Sequence, residues 1–177
     1  MEKIASFKVD HTKLKRGVYL SREDIIYDSK SECEQGSSSV AVKDDHLENF
    51  TKIQTWDLRM YKPNCGAWID PAAAHTLEHL FATVVRTLGG NHIIYCGPMG
   101  CMTGFYLITQ HLNFTEVVSL LQEVFKKISE WNDPIPGATM IECGNAKFQN
   151  SYEAIKEAKE FLRVLQNLPP ECPNYLV

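Results

Sequence analysis

Residues 70–90 constrain the fold most: Asp70 can cap a helix, Pro71 suits its first turn, and Gly89-Gly90 ends it. Between these signals Leu77, Leu80, Phe81, Val84 and Leu88 recur at helical spacing and form one apolar stripe. A helix with one apolar face needs a second layer to bury it. At about 100° per residue, His75 and His79 fall away from that stripe, one turn apart on a common face. Packing therefore does not need them. Neutral imidazoles at this spacing can grip one divalent cation, and Glu78 borders the same site as a proton carrier.

The remaining elements supply the second layer. Residues 52–60 alternate, with Trp56, Leu58 and Met60 on one face and Thr55, Asp57 and Arg59 on the other, which predicts a strand with a polar face. His92 to Tyr95 and Met102 to Thr109 are predicted strands separated by a Gly-Pro-Met-Gly turn. A second helix starts at Asn113, where Glu116 completes a capping box, and buries Phe114, Val117, Val118, Leu121, Phe125 and Ile128 before Pro134. A third starts at Asn150 or Ser151, turns Tyr152, Ile155, Ala158, Leu162 and Leu165 inward, and stops before Pro169-Pro170. This order predicts an α+β two-layer sandwich, an antiparallel-rich β-sheet covered by helices. Residues 28–51 show no period and are expected to form an irregular insertion, a loop or hairpin, within a single domain spanning residues 1–177.

Composition narrows the partners. A net charge of -4 and a pI near 5.9, with no clustered Lys or Arg, predict neither a nucleic-acid partner nor an anionic membrane surface. No segment approaches the roughly eighteen continuous apolar residues of a membrane span, and Met1 to Asp10 lacks a secretory apolar run, so a cytoplasmic protein is expected. In that compartment the six cysteines are expected to be reduced thiols, available as ligands or catalysts.

Two histidines rarely complete a catalytic metal site, so a third ligand is required. Cys143 is the best candidate: it ends an apolar segment before the third helix, and Gly144 permits close backbone approach. Cys101 lies in Gly97-Pro98-Met99-Gly100-Cys101-Met102-Thr103-Gly104, where flanking glycines leave room for a ligand and a nearby cation would favour the thiolate. From the residues alone, each of these cysteines also reads as a structural thiol.

Taken together, Ser6-Phe7, Asp10-His11, Asp57-Leu58-Arg59 with Pro63-Asn64, His-Thr-Leu-Glu-His, Gly-Cys-Met-Thr-Gly-Phe-Tyr and Cys143-Gly144 give the chain its likeness. It resembles the S-ribosylhomocysteine lyase (LuxS) family in order, over nearly everything outside residues 14–51. The resemblance implies a LuxS or inverted-zincin-like metalloenzyme fold with one divalent metal per subunit, Fe(2+) with Zn(2+) or Co(2+) as substitutes, on His75, His79 and Cys143. It implies Glu78 and Cys101 as the acid/base pair. Ser6, His11 and Arg59 match positions that line a substrate pocket shared between two subunits of a homodimer. The implied reaction converts S-ribosylhomocysteine to homocysteine and 4,5-dihydroxy-2,3-pentanedione, the autoinducer-2 precursor, by carbonyl migration and β-elimination. Every step is a proton transfer, so no nicotinamide, flavin or pyridoxal cofactor is called for.

The chain departs from the family pattern where Tyr95 replaces a usual Asp six residues before Cys101, followed by Cys96 and Gly97 in place of Ile and Ser. Region 14–51 is also longer than usual and keeps Tyr19 and Arg22 as remnants of the family's Ala-Pro-Tyr pattern. Two rival readings stand beside the lyase: an inverted-zincin metallopeptidase with Glu78 activating water, and a non-catalytic metal-binding relative.

Overall fold

A computed structural model describes residues 5–27 and 50–174, with side chains from Phe7 onward; the expected insertion falls outside the described residues except for its last two positions. After a short helix, α1 (Ala5–Lys8), come strands β1 (Gly17–Tyr27) and β2 (Phe50–Arg59). Then follow helix α2 (Pro71–Gly89), strands β3 (Ile93–Pro98) and β4 (Gly104–Gln110), and helices α3 (Phe114–Ser129) and α4 (Ser151–Leu165). The strands form one antiparallel sheet in the order β1-β2-β4-β3. The α+β class and antiparallel sheet match expectation.

The end signals act as the sequence suggests. Asp70 Oδ1 accepts from the Ala73 amide at 2.9 Å, and at α3 the Asn113 and Glu116 side chains cap each other's amides at 3.0 and 2.7 Å. On β2, Trp56 and Leu58 pair with Leu107 and Phe105 of β4, and this apolar face meets the helices. An aromatic column ties the layers together, from Phe105 through Phe81 and Phe125 to Phe161, with neighbouring ring centroids 5.9, 5.3 and 5.0 Å apart.

Three details differ from the sequence expectation. β1 is a full strand, paired with β2 along its length, and its Val-Tyr-Leu and Ile-Ile-Tyr runs were the available signal. His92 lies in a 3-10 turn and β3 extends through Gly97 and Pro98; proline is tolerated there because β3 is an edge strand. The turn is thereby displaced onto residues 99–103, where Met102 adopts φ 56° and interrupts extended structure before β4. Gly104 starts β4 because an added Cβ would stand 2.1 Å from the Leu58 carbonyl oxygen.

The third difference is rotational. Tyr152 points outward at 77 % exposure, whereas Ala154, Glu157, Ala158, Phe161 and Leu165 form the buried face of α4. Phe161 sets this orientation by packing on Phe125, and Glu157 becomes tolerable because Tyr61 donates its hydroxyl to Glu157 Oε1 at 2.6 Å. Burial pushes the Glu157 carboxyl up, and burial with the neighbouring carboxylate pushes the Tyr61 phenol up to about 12. A raised carboxyl pKa means the folded state prefers the protonated form, so Glu157 weakens folding as pH rises out of the carboxylate range. Glu157→Gln is expected to raise the thermal midpoint near neutral pH by a few degrees, the scale on which about 1 kcal/mol acts in a chain this long. The advantage should fade on acidification; a constant difference across a pH series of melting curves would count against this account.

Candidate metal centre and adjoining cleft

His75 and His79 emerge on one face of α2, and Cys143 comes from the connection between α3 and α4. Their ligand atoms all lie within 4.8 Å of one another. The two Nε2 atoms are 3.1 Å apart, and Cys143 Sγ is 3.4 Å from His75 Nε2. Each ring's other nitrogen faces a carbonyl: His75 Nδ1 meets Phe148 O at 2.7 Å, and His79 Nδ1 meets Pro136 O at 2.8 Å. A carbonyl only accepts, so both Nδ1 atoms carry the proton and both Nε2 atoms present bare lone pairs.

Facing lone pairs of two nitrogens and a sulfur are held together by a proton or by a cation among them. Tetrahedral bonds of about 2.0–2.1 Å to nitrogen and 2.3 Å to sulfur put neighbouring donors about 3.3–3.7 Å apart. The two spacings from His75 Nε2 lie within a few tenths of an ångström of that range, and the whole donor set spans no more than 4.8 Å. The chemistry and spacing of this donor set fit a single divalent cation with a position left over for substrate or water.

The sequence reading missed what holds the cradle. Thr76, inside the His-Thr-Leu-Glu-His motif, is buried; its hydroxyl accepts from the Asn150 amide at 2.8 Å and lies 2.7 Å from Gln149 Oε1. It thereby fastens the Cys143 connection to α2. The cysteine's own turn is closed by its amide on Thr139 O at 2.9 Å, and the Asn145 amide approaches Cys143 Sγ at 3.4 Å. These partners are distant in sequence and mostly backbone atoms, so no motif announces them.

Glu78 is half-buried between the two histidines, and its charge bears on the buried Cys96 thiol of β3. Among the described residues, its carboxylate makes no hydrogen bond.

Cys101 belongs to a separate cleft of about 580 Å³, lined by Phe7, His11, Arg59, Trp68, Cys101 and Tyr106 among others, and by none of the three cradle residues. Arg59 is not a solvated residue on a polar strand face but is 2 % exposed, with Asp57 beside it 1 % exposed. Asp57 grips it with two bonds, Nε to Oδ1 at 3.1 Å and Nη2 to Oδ2 at 2.5 Å. Arg59 Nη1 reaches Thr103 Oγ1 at 2.6 Å and lies 3.9 Å from Cys101 Sγ. His11 donates Nδ1–H to Val9 O at 3.0 Å. The Ser6 side chain lies outside the described residues.

Burial is the largest influence on the Cys101 thiol and pushes it up. Hydrogen bonding by Thr103 and the Arg59 guanidinium together outweigh burial and bring it below the ordinary thiol value. The turn is pinned on both sides: Thr103 O accepts from Met60 N and Tyr61 N at 3.0 and 2.9 Å, and Met102 O accepts from Ile69 N at 2.8 Å. In β3, the Tyr95 hydroxyl lies over Gly97, where an added Cβ would be 2.1 Å from it.

An antiparallel α+β sandwich with a His2Cys cradle, two of its donors on α2, and an acidified thiol in a separate cleft defines the class of the protein. A family model described as S-Ribosylhomocysteinase (LuxS) matches residues 37–170. Relatives named S-ribosylhomocysteine lyase include one from Desulfotalea psychrophila, 41% identical over 179 residues, and one from Borreliella afzelii, 38% identical over 180 residues. One from Porphyromonas gingivalis is 35% identical over 179 residues, and each alignment covers 99% of both chains. The chain belongs to the LuxS family, a family of lyases.

Proposed function

We propose that this protein cleaves the thioether of S-ribosylhomocysteine to homocysteine and 4,5-dihydroxy-2,3-pentanedione, with one divalent cation held by His75, His79 and Cys143. The observation that carries the reading is the convergence of two Nδ1-protonated imidazoles and a thiol on one point in a LuxS-family chain. Ferrous iron is the proposed native ion, with zinc or cobalt as substitutes, all compatible with mixed nitrogen and sulfur donors. When bound, the ion supplies Lewis acidity to a substrate oxygen and so acidifies the adjacent C–H bonds.

The side chains account for the proton movements. Cys101 Sγ, as thiolate, takes a proton from one ribose carbon and returns it to the neighbouring one, which moves the carbonyl from C1 to C2 and then to C3. Glu78 takes and returns the hydroxyl proton in each shift. With the carbonyl at C3, Glu78 takes the C4 proton and the C5–S bond breaks: a C4–C5 enol forms, the homocysteine thiolate collects a proton, and the enol passes its hydroxyl proton to C5 to give the dione. Arg59 and His11, in the same cleft as Cys101, bind and orient the polar substrate; Ser6 joins them by family position. We assign the pentanedione product to autoinducer-2 formation and the homocysteine to methyl-cycle recycling.

A homodimer with shared sites belongs to the same proposal. Phe7 and Trp68 beside the cleft, and Met140 and Ile141 beside Cys143, are 70, 61, 84 and 98 % exposed, an apolar surface that a second copy would cover. An anaerobically purified, metal-loaded sample is expected to sediment as a dimer and release one thiol per S-ribosylhomocysteine. Peptide hydrolysis without thiol release would favour the peptidase reading, and metal binding without either would favour a non-catalytic relative.

A further inference from the structure

We propose that Thr103 is a positioning residue for Cys101: its hydroxyl reverses direction with the sulfur's protonation state and holds the thiolate in place between proton transfers. The inference deepens the lyase reading and rests on Cys101 as its acid/base.

Three hydrogen-bonding facts carry it. Arg59 can only donate, so the 2.6 Å contact from Nη1 makes Thr103 Oγ1 an acceptor there. Asp57 occupies Arg59 Nε and Nη2 and is itself buried, so the donor direction of Nη1 is fixed by a clamp with almost no freedom to turn. Thr103 Oγ1 lies 3.0 Å from Cys101 Sγ and keeps one proton and a second lone pair available to it. While the sulfur is a thiol, S–H donates to Oγ1. Once it is a thiolate, the sulfur can only accept, so the hydroxyl becomes the donor of this pair, and a rotation about the C–O bond accomplishes this without moving a heavy atom.

An acid/base that works repeatedly needs such a partner in both states. The Arg59 contact also polarises the Thr103 hydroxyl, making it a better donor to sulfur than a free threonine. The Thr103 backbone amide also bonds the sulfur, but an N–H only donates, so it cannot accept from the thiol and serve both states. Arg59 Nη1 itself stands 3.9 Å from the sulfur. Tyr106 on β4 and His11 from the N-terminal segment share the cleft. Tyr106 is held up first by burial and then by Asp57, so it stays a neutral phenol.

Iodoacetamide alkylation of Cys101, followed by peptide mass spectrometry over a pH series, reads the thiol without turnover. In Thr103→Val, which keeps the shape and removes the hydroxyl, the alkylation midpoint is expected to move up by about one pH unit, as loss of one hydrogen bond to a charged atom implies. Turnover should fall about tenfold through kcat with little change in KM. Thr103→Ser should restore both. If the valine variant does not fold, Thr103→Ala is read the same way. An unchanged or lowered midpoint, or a serine variant shifted as far as valine, overturns the inference. Absence of thiol release by the unaltered protein would instead sink the lyase reading.

Discussion

Cys143→Ala should yield a folded chain that purifies without its cation and releases no measurable homocysteine. The core does not depend on this sulfur: α2 is seated by Leu77, Leu80, Phe81 and Val85, all fully buried, while Cys143 lies on a half-exposed turn. Removing it leaves two imidazoles, too few donors to hold a divalent ion against solvent exchange. A Lewis acid contributes several kcal/mol to such a reaction, and at about 1.4 kcal/mol per decade its loss costs roughly 10³ or more in rate. His75→Ala and His79→Ala should behave alike. Metal analysis beside a thiol-release assay checks this, and a Cys143→Ala sample retaining one equivalent of metal and full turnover would refute the assignment. Far-ultraviolet circular dichroism should be unchanged, and the midpoint should drop only by the linkage that the bound ion provided.

The prominence of these residues in the sequence reflects how local their signals are. His75 and His79 announce themselves because one turn of helix spaces them and the apolar stripe excludes them. Asp70, Pro71 and the Asn113–Glu116 box were legible because helix ends impose short-range chemistry. Arg59 was harder. Alternation put it on a polar face, but only the three-dimensional pairing with Asp57 and Thr103 shows that face to be buried. The α4 stripe rotated for a related reason: spacing cannot reveal that Tyr61, far away in sequence, would satisfy Glu157 and let it point inward. Thr76 looks like filler between two histidines, yet it binds the Cys143 connection through Asn150 and Gln149. In each case, the missing information was a long-range polar partner.

Cys101→Ala is expected to keep its full complement of metal and lose about 10² to 10⁴ in kcat, the usual cost of removing a positioned acid/base. Metal content separates this loss from that of the cradle variants, since Cys101 lines a cleft to which none of the three cradle residues contributes. The loss should also be pH-dependent in a defined sense. A thiol brought below its ordinary value, with the Arg59 guanidinium nearby, carries more thiolate at neutral pH than a free cysteine does. The rate attributable to it therefore falls on acidification through that lowered pKa and levels off above it. Serine at 101 should rescue little, because a hydroxyl in the same place does not ionise in this range. Glu78→Gln should lose a similar factor while retaining its metal, since the amide keeps the shape of the side chain but cannot carry the hydroxyl proton. The two losses should not multiply: once either carrier is gone the carbonyl cannot complete its migration, so the double variant should be barely slower than the worse single one. Fully additive losses would mean that Cys101 and Glu78 serve independent steps, and undiminished turnover in Cys101→Ala would leave its sulfur a structural part of the turn.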